Sequence, residues 1–119
     1  MTHGFAPGDN LVFQLESGFG IMRVLAINED ADGEAVWHLS VAEDFYPDVE
    51  SAEAALTQGT PFLVRVAHLA LTTYAFEKTA AARLNNTAIR DEELEAYRAW
   101  RERGGEVSNR SVLMMLGFR

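Results

Sequence analysis

The chain has 119 residues and a formal net charge of −8, with 48% hydrophobic and 24% charged residues, which is typical of one globular domain and excludes a disordered chain. The absence of cysteine excludes disulfides, thiolate metal sites and cysteine nucleophiles. No apolar run approaches the roughly 18 residues that a membrane helix needs, and residues 1–5 lack the basic and apolar parts of a secretory signal. We therefore predict a single domain over residues 1–119, in the cytoplasm and away from membranes.

Charge is distributed unevenly along the chain. Residues 1–60 contain 11 acidic side chains and one basic side chain, Arg23, for a net −10. Residues 61–119 contain nine basic and seven acidic side chains, for a net +2. Because an acidic surface repels phosphate backbones, we expect no binding to nucleic acid. An acidic face can attract a basic protein, although improved solubility is a competing explanation.

The pattern of the first 42 residues predicts three strands of an antiparallel meander. Residues 11–16 alternate between apolar and polar side chains, residues 19–28 are apolar on both faces, and residues 34–42 alternate again. Gly20 inside the second strand indicates a bulge or a close backbone approach. In the third strand we expect Trp37 to face the core and His38 to face the other way.

The second half mixes helical and strand patterns. Residues 51–58 predict a short helix, and residues 62–71 predict a strand. Residues 72–84 fit both helical and strand spacing, so their structure stays open. Residues 91–103 give the clearest helix, because Asp91 can cap a first turn rich in acids and arginines near the end complement the helix dipole.

These elements predict an α+β fold, in which a curved, mostly antiparallel sheet of about five strands carries a short helix and a C-terminal helix. The apolar tail, residues 107–119, is expected to pack on the domain or on a second subunit, which makes a homo-oligomer possible. The predicted core consists of Leu11, Phe13, Leu15, Ile21, Val24, Leu25, Trp37, Leu39, Val41, Val64, Val66, Leu94 and Tyr97.

Two acidic loops, residues 28–34 and 43–50, are the predicted surface for a protein partner. The first matches the opening of a calcium-binding EF-hand loop, but its twelfth position is Leu39 rather than glutamate, so an acidic hairpin turn is the better interpretation. In the second loop, an aromatic pair either anchors an interface or covers the core, and we weigh these equally. The candidate binding residues are Asp30, Asp32, Glu43, Asp44, Phe45, Tyr46 and Asp48.

Two histidines, His38 and His68, fall on predicted strands and can neighbour each other across the sheet. With Glu43 or Asp44 they could form a metal site of two histidines and one carboxylate. The simpler interpretation is a pair of satisfied strand histidines, so the leading hypothesis includes no cofactor. Arg23 is expected either to pair with a carboxylate or to anchor an anionic ligand, and the ion pair is the commoner role.

The first strand pair resembles the opening hairpin of small Src-homology-3-like barrels. It also resembles the N-terminal segment of the bacterial polymorphic-toxin immunity proteins grouped as immunity family 26. The residues that carry both resemblances, about one fifth of the chain, are Gly8-Asp9-x-x-x-Phe13-x-Leu15-x-x-Gly18-x-Gly20-x-x-x-Val24-Leu25. The second resemblance implies a small α+β domain that blocks a toxin by binding it.

Three functions are therefore predicted from the sequence. The leading one is a non-catalytic, acidic protein-binding module, with an immunity-type inhibitor of a basic partner as its specific form. The first alternative is a small metal- or ligand-binding enzyme that uses His38 and His68. The second alternative is a homo-oligomeric structural protein. No serine lies in a nucleophile-elbow pattern, and no carboxylate pair shows the spacing that acid–base catalysis needs.

Overall fold

The computed structural model of this protein describes residues 4–58 and 63–117. The fold is α+β, as predicted. Its elements, in chain order, are strand β1 (Asp9–Leu15), strand β2 (Gly18–Glu29), strand β3 (Ala35–Ala42), helix α1 (Val49–Leu56), strand β4 (Val64–Thr72), helix α2 (Thr73–Glu77), strand β5 (Ala81–Asn86), a 3₁₀ turn (Asp91–Leu94), helix α3 (Glu95–Glu102) and helix α4 (Val112–Met115).

The five strands form one open antiparallel sheet in the order β4-β3-β2-β1-β5. The first three strands follow one another as the predicted meander. The turn between β2 and β3 is closed by Asp30, whose Oδ1 accepts hydrogen bonds from the backbone N–H groups of Asp32 at 2.8 Å and Glu34 at 3.0 Å. This acidic segment is therefore a hairpin turn, and Gly33 supplies its left-handed residue with φ of +81°.

The segment left open by the sequence, residues 72–84, contains both a helix and a strand. Helix α2 starts after Thr72, whose hydroxyl accepts a hydrogen bond from the N–H of Ala75 at 3.0 Å. Strand β5 then begins at Ala81, where the chain pairs with β1. The predicted helix at residues 51–58 begins two residues earlier, since Asp48 caps it by accepting from the N–H of Ser51 at 2.7 Å.

The long helix predicted for residues 91–103 begins as a 3₁₀ turn, and its predicted cap is wrong. Asp91 does not cap the helix, because its carboxylate accepts instead from Arg98 at 2.9 Å. The capping position is Arg90, whose backbone N–H donates to Glu93 at 2.8 Å. The predicted helix end near Gly59 and the predicted strand start at residue 62 lie outside the described residues.

The main hydrophobic core lies on one face of the sheet, beneath α2 and α4. Its centre is Trp37, whose ring stacks on Phe76 of α2 with centroids 4.1 Å apart. The Trp37 indole N–H donates to the hydroxyl of Thr73 at 3.0 Å, so the buried ring is also satisfied at its polar end. The buried members are Leu11, Phe13, Leu15, Met22, Val24, Trp37, Leu39, Val41, Leu69, Leu71, Ala75, Phe76 and Val112.

The opposite face of the sheet is covered only in part. Val12 and Ile21 pack against Ala52 of α1 in a second, smaller cluster. As predicted, His38 faces this side, where it is buried together with Val36 and Ser40. The prediction that Val64 belongs to the core is wrong: its side chain is 50% exposed, because it begins β4 at a corner of the sheet. Val66 and Leu94 are half-buried.

The C-terminal tail packs on its own domain. The N–H of Ser108 donates to the carbonyl of Ala70 at 2.7 Å, and the N–H of Thr72 donates to the carbonyl of Ser108 at 3.0 Å. Val112 of α4 is fully buried, whereas Met114 remains 54% exposed. Across residues 4–58 and 63–117, none of the helices is long and apolar enough to cross a membrane.

Gly20 marks a close approach, but the group that lies against it is a side chain and not the backbone that the sequence predicted. It pairs with Phe13 of β1, and a Cβ atom on Gly20 would lie 2.6 Å from Cζ of the Phe13 ring. Contacts between real carbon atoms require about 3.5 Å or more. The ring of Phe13 therefore occupies the space that any other residue at position 20 would need.

We expect the substitution Gly20→Ala to lower the free energy of unfolding by about 1–3 kcal/mol, because an added methyl group overpacks the core against Phe13. Urea denaturation followed by circular dichroism measures this change. Combining it with Phe13→Leu should recover part of the loss, and simple additivity in that double-mutant cycle would contradict the contact.

Candidate functional site

The partly covered face of the sheet carries the candidate functional features. His38 and His68 lie side by side on neighbouring strands, β3 and β4, as the sequence predicted. Nδ1 of His38 is 2.9 Å from Nε2 of His68, and the two rings stack with centroids 5.2 Å apart. The antiparallel register sets this contact, because His38 pairs with Ala70 and the side chain of His68 projects from the same face two residues away.

A hydrogen-bonded chain extends from the histidine pair across the sheet. Nε2 of His38 lies 3.0 Å from Oδ1 of Asn28, and Nδ2 of Asn28 donates to the hydroxyl of Tyr97 at 2.8 Å. Because Nδ2 of Asn28 donates to Tyr97, its Oδ1 accepts a hydrogen bond from Nε2 of His38. Nδ1 of His38 then accepts a hydrogen bond from Nε2 of His68. Both rings are then neutral, and both nitrogens of His38 have a partner.

Helix α3 roofs the pair with two aromatic rings. The centroids of Tyr97 and Trp100 lie 4.5 Å and 4.8 Å from that of His38. The indole N–H of Trp100 donates to the carbonyl of Glu106 at 2.9 Å, which holds the ring in place. A Cβ atom at Gly105 would collide with this indole ring at 2.2 Å, so glycine is required there for the roof to close.

Burial lowers the pKa of both histidines to about 4. For His38 the nearby His68 and Arg101 add to this effect, and for His68 the nearby Arg103 does so. Both causes disfavour the protonated ring, since a charge is costly away from water and beside other cationic groups. The pair is therefore neutral at pH 7 and holds its hydrogen bonds without a charge.

The metal site proposed from the sequence is not assembled. Glu43 and Asp44 follow the end of β3, so Glu43 lies about 16 Å from His38 along the strand direction at about 3.3 Å per residue. Among the residues that the structure describes, no group of three or more His, Asp or Glu side chains is placed to hold a metal ion. The facing nitrogens of the two histidines are hydrogen-bonded to each other.

Arg23 lies at the centre of a dense polar cluster. Its Nε donates to Oε1 of Glu93 at 2.5 Å. Its Nη1 donates to the carbonyl of Gly8 and to the hydroxyl of Thr87, both at 2.9 Å. Its Nη2 donates to the carbonyl of Ala88 at 2.9 Å and makes longer contacts with Thr87 and Glu93. All five N–H groups are thus used within the protein, which leaves none for an anionic ligand.

The Arg23–Glu93 pair is mostly buried, with side-chain exposures of 13% and 14%. Burial acts to raise the pKa of Glu93, but hydrogen bonds from Arg23 and from the backbone of Arg90 outweigh it and hold that pKa below its usual range. Glu93 therefore remains ionised and pinned to Arg23. Because Glu93 belongs to the 3₁₀ turn before α3, this ion pair fixes the start of the helix that roofs the histidines.

A cleft of about 530 Å³ lies on the same face of the sheet as the histidine pair, between α1, the start of β4 and residues 87–96. Its floor contains the buried residues Ile21, Ser40 and Ala42. Sequence patterns did not reveal this cleft, because its walls come from segments that are far apart in the chain. A signal was present in the small size of Ser40 and Ala42, the two residues of β3 that line the cleft.

The two acidic loops do not form one surface. Strand β3 separates them by eight residues, or about 26 Å, so the turn at residues 30–34 and the loop at residues 43–48 lie at opposite ends. Asp30 and Asp48 stabilise their own backbone, and the hydrogen bond from Ser51 lowers the pKa of Asp48. Asp32, Glu43 and Asp44 are exposed.

The two aromatic residues of the second loop, Phe45 and Tyr46, have different environments. Tyr46 forms a β-bridge with Phe19, with two backbone hydrogen bonds of 2.7 Å, and its half-buried ring packs on the cluster beneath α1. Burial raises the pKa of Tyr46, and Asp44 adds to the increase. Phe45 is 36% exposed, and the guanidinium of Arg65 lies 4.8 Å from its ring centroid. Tyr46 thus covers the core while Phe45 faces outward.

Comparison with known proteins finds no matching family model, no matching curated protein and no matching solved structure. The resemblance of residues 8–25 to immunity proteins therefore depends on those residues alone. In the fold they form β1 and most of β2. Their glycines Gly18 and Gly20 occupy positions where a Cβ atom would lie 2.6 Å from the carbonyl oxygen of Tyr46 and from the ring of Phe13. The pattern thus describes how this hairpin packs.

The free energy of unfolding should decrease as the pH falls from about 6.5 to about 4, because both histidines have lowered pKa values in the folded protein. The folded pKa of each ring, about 4, lies below its unfolded value of about 6.5, so the unfolded chain binds protons that the folded chain excludes. The stabilisation is complete above pH 6.5 and is lost as the pH falls to 4. For the fully buried His38 the loss amounts to about 3 kcal/mol.

Urea denaturation at intervals from pH 7 to pH 4.5 measures this dependence. The variant His68→Gln can retain the hydrogen bond to His38 without a titrating ring, so its stability should depend about half as steeply on pH. Equal slopes for the two proteins would contradict the assignment to the histidine pair.

Breaking the buried ion pair should be costly. We expect Arg23→Met to lower the free energy of unfolding by about 3–5 kcal/mol, because it leaves Glu93 charged and mostly buried. The matched control is Arg98→Met, which removes an exposed ion pair with Asp91 and should change stability little. Urea denaturation of both variants makes the comparison, and equal losses would contradict the role assigned to Arg23.

Proposed function

We propose that this protein is a non-catalytic protein-binding module, and that its partner is basic. The observation that carries the proposal is the segment 43–53, which runs from the end of β3 into α1. It contains five acidic residues and no basic one, and every acidic side chain is exposed. These residues are Glu43, Asp44, Asp48, Glu50 and Glu53. Such a surface accelerates encounter with a positively charged partner.

Exposed apolar side chains accompany this charge. Phe45 and Val49 are 36% and 38% exposed within the segment, and Val64 is 50% exposed at the neighbouring end of β4. Arg65 holds the loop in place, since it donates to the carbonyl of Glu43 at 3.2 Å and lies over the Phe45 ring. Apolar anchors surrounded by charge are the usual arrangement of a protein-binding surface.

The acidic turn at residues 30–34 is left out of the proposed surface. It lies at the other end of β3. All of residues 30–34 are described by the structure, and none of them has a large apolar side chain. We therefore narrow the binding surface from two loops to the segment 43–53 and its neighbour Val64. The turn serves as an internal control, because it carries similar charge without apolar anchors.

An immunity-type inhibitor is the specific form of this proposal, and the cytoplasm is its proposed location. The hairpin resemblance over residues 8–25 and the acidic segment both support it. The neutral, hydrogen-bonded and roofed state of His38 and His68 favours binding over catalysis at that pair. Self-association is the competing proposal, and the exposed Met114 and Met115 of α4 favour that surface for it.

We expect the triple variant Glu43→Gln, Asp44→Asn and Glu50→Gln to weaken binding of the basic partner by about tenfold or more, since three favourable charges are lost at about 0.5–1 kcal/mol each. The partner is first captured from a lysate with the wild-type chain, purified, and shown to be basic. Calorimetry with the purified pair then measures the affinity at two salt concentrations.

The matched control is the triple variant Glu29→Gln, Asp32→Asn and Glu34→Gln, which changes the net charge equally at the other end of β3. Its affinity should equal that of the wild-type chain. Equal weakening by both variants, or no weakening by the first, would contradict the proposed surface. Light scattering on the same proteins separates partner binding from self-association through α4.

A further inference from the structure

The cleft between α1 and α3 has the properties of a small-molecule site that is separate from the acidic segment. We propose that it binds a small organic cation, an amine attached to an apolar body. Its volume of about 530 Å³ falls within the usual range of ligand sites, about 300–1,000 Å³. Its floor, its walls and its mouth each contribute one part of this assignment.

The floor contains the hydroxyl group of Ser40. Ser40 is only 7% exposed, and it lines the cleft. Asn10, which also lines the cleft, already donates to Asn85 at 2.8 Å and accepts from Arg23 at 3.3 Å. A serine hydroxyl can both donate and accept, so Ser40 provides a hydrogen-bonding point for a ligand at the base of the cleft.

The apolar part of the walls is mostly formed by small side chains. Four alanines, Ala42 of β3, Ala67 of β4, Ala88 after β5 and Ala96 of α3, line the cleft and leave the space that larger residues would fill. These come from four different segments, so the opening is a property of the assembled face rather than of one loop. The apolar lining consists of Ile21, Ala42, Leu56, Val64, Ala67, Ala88 and Ala96.

The mouth favours a positive charge. Glu92 and Glu95 are exposed at the rim, opposite one exposed arginine, Arg90. Arg90 is already engaged with Glu92 at 2.5 Å and with Glu93 at 3.6 Å. Glu95 forms no salt bridge within residues 4–58 and 63–117, although it also interacts electrostatically with Arg98, which is bonded to Asp91 at 2.9 Å. Arg23 has no N–H group left for an anion, whereas an ammonium group would meet Glu95 at the rim.

The cleft is held open before any ligand arrives. Its wall at residues 92–96 is joined to the floor by the ion pair of Glu93 with Arg23. A preformed cavity costs a ligand little ordering of the protein, which favours binding of small molecules. The net charge of −8 additionally favours the approach of cations over anions.

Three probes with one phenylbutyl body test the assignment: 4-phenylbutylamine, 4-phenylbutanol and 4-phenylbutanoate. Each is titrated into isotopically labelled full-length protein, and amide chemical shifts are followed by NMR. We expect the amine to shift the amides of Ser40, Ala42, Ala67 and Ala96. It should bind about threefold or more tightly than the alcohol, and about tenfold or more tightly than the carboxylate, as one charge contact at the surface implies.

Variants locate the binding. Ala67→Leu should fill the cleft and abolish binding of the amine, while Glu95→Gln should reduce the affinity for the amine to that for the alcohol. Ser40→Ala removes the hydroxyl and should weaken all three probes. The control is Glu102→Gln, an exposed acid on α3 outside the cleft, which should change nothing. Thermal melting of each variant shows that it is folded.

The proposal is overturned if the carboxylate binds as tightly as the amine, if none of the probes binds at millimolar concentration, or if the shifts lie elsewhere. It is also overturned if folded Ala67→Leu binds the amine normally; should that variant not fold, Ser40→Ala and Glu95→Gln decide. The triple variant in the segment 43–53 should leave amine binding unchanged. Failure of the cleft proposal is therefore distinguishable from failure of the proposed protein-binding function.

Discussion

One guanidinium group holds together the part of the molecule where function is proposed. Arg23 donates to the turn before β1, to the segment after β5 and to the 3₁₀ turn before α3. A buried arginine must place all of its N–H groups, so these three segments can take only the relative positions that satisfy it. The aromatic roof over the histidines and the acidic wall of the cleft both belong to the segment that Glu93 anchors. The geometry of both sites therefore depends on an ion pair between residues 70 positions apart in sequence.

The two faces of the sheet are covered differently. One face is filled by the main core, in which Trp37 stacks on Phe76. The other face is covered at one end by α1 and at the other by α3, and the uncovered middle is the cleft. Helix α1 takes part in both proposed functions, because Leu56 lines the cleft while Glu50 and Glu53 face solvent. The histidine pair contacts Tyr97 and Trp100 and so supports α3 from below as a neutral, hydrogen-bonded pair.

Sequence patterns correctly predicted the strands that depend only on residues close together in the chain. Alternation in the first strands follows directly from a sheet with one filled face. Gly20 indicated a bulge or a close backbone approach, whereas the group that lies against it is the ring of Phe13, which comes from the neighbouring strand. The proximity of His38 and His68 followed from their strands. The partner of Arg23 could not be predicted, since Glu93 reaches it only after the chain has passed through β3, β4 and β5. The acidic loops were grouped by closeness in sequence, although one intervening strand necessarily puts them at opposite ends. The cleft depends on four alanines from four segments of the chain, and spacing along one element does not reveal such a set.

The short pairing of Ser108 with β4 has a consequence for how these molecules behave when crowded. Strand β4 lies at an edge of the sheet, and an edge with unpaired backbone groups is a template on which a strand of another molecule can add. The backbone of Ser108 is hydrogen-bonded to the carbonyl of Ala70 and to the N–H of Thr72. The chain then continues into α4, whose Val112 is buried in the core. The tail thus acts as a cover for the most apolar part of that edge. Loosening of α4 would expose a row of β-forming residues, so the same few residues that complete the core also protect the protein from intermolecular strand addition and aggregation.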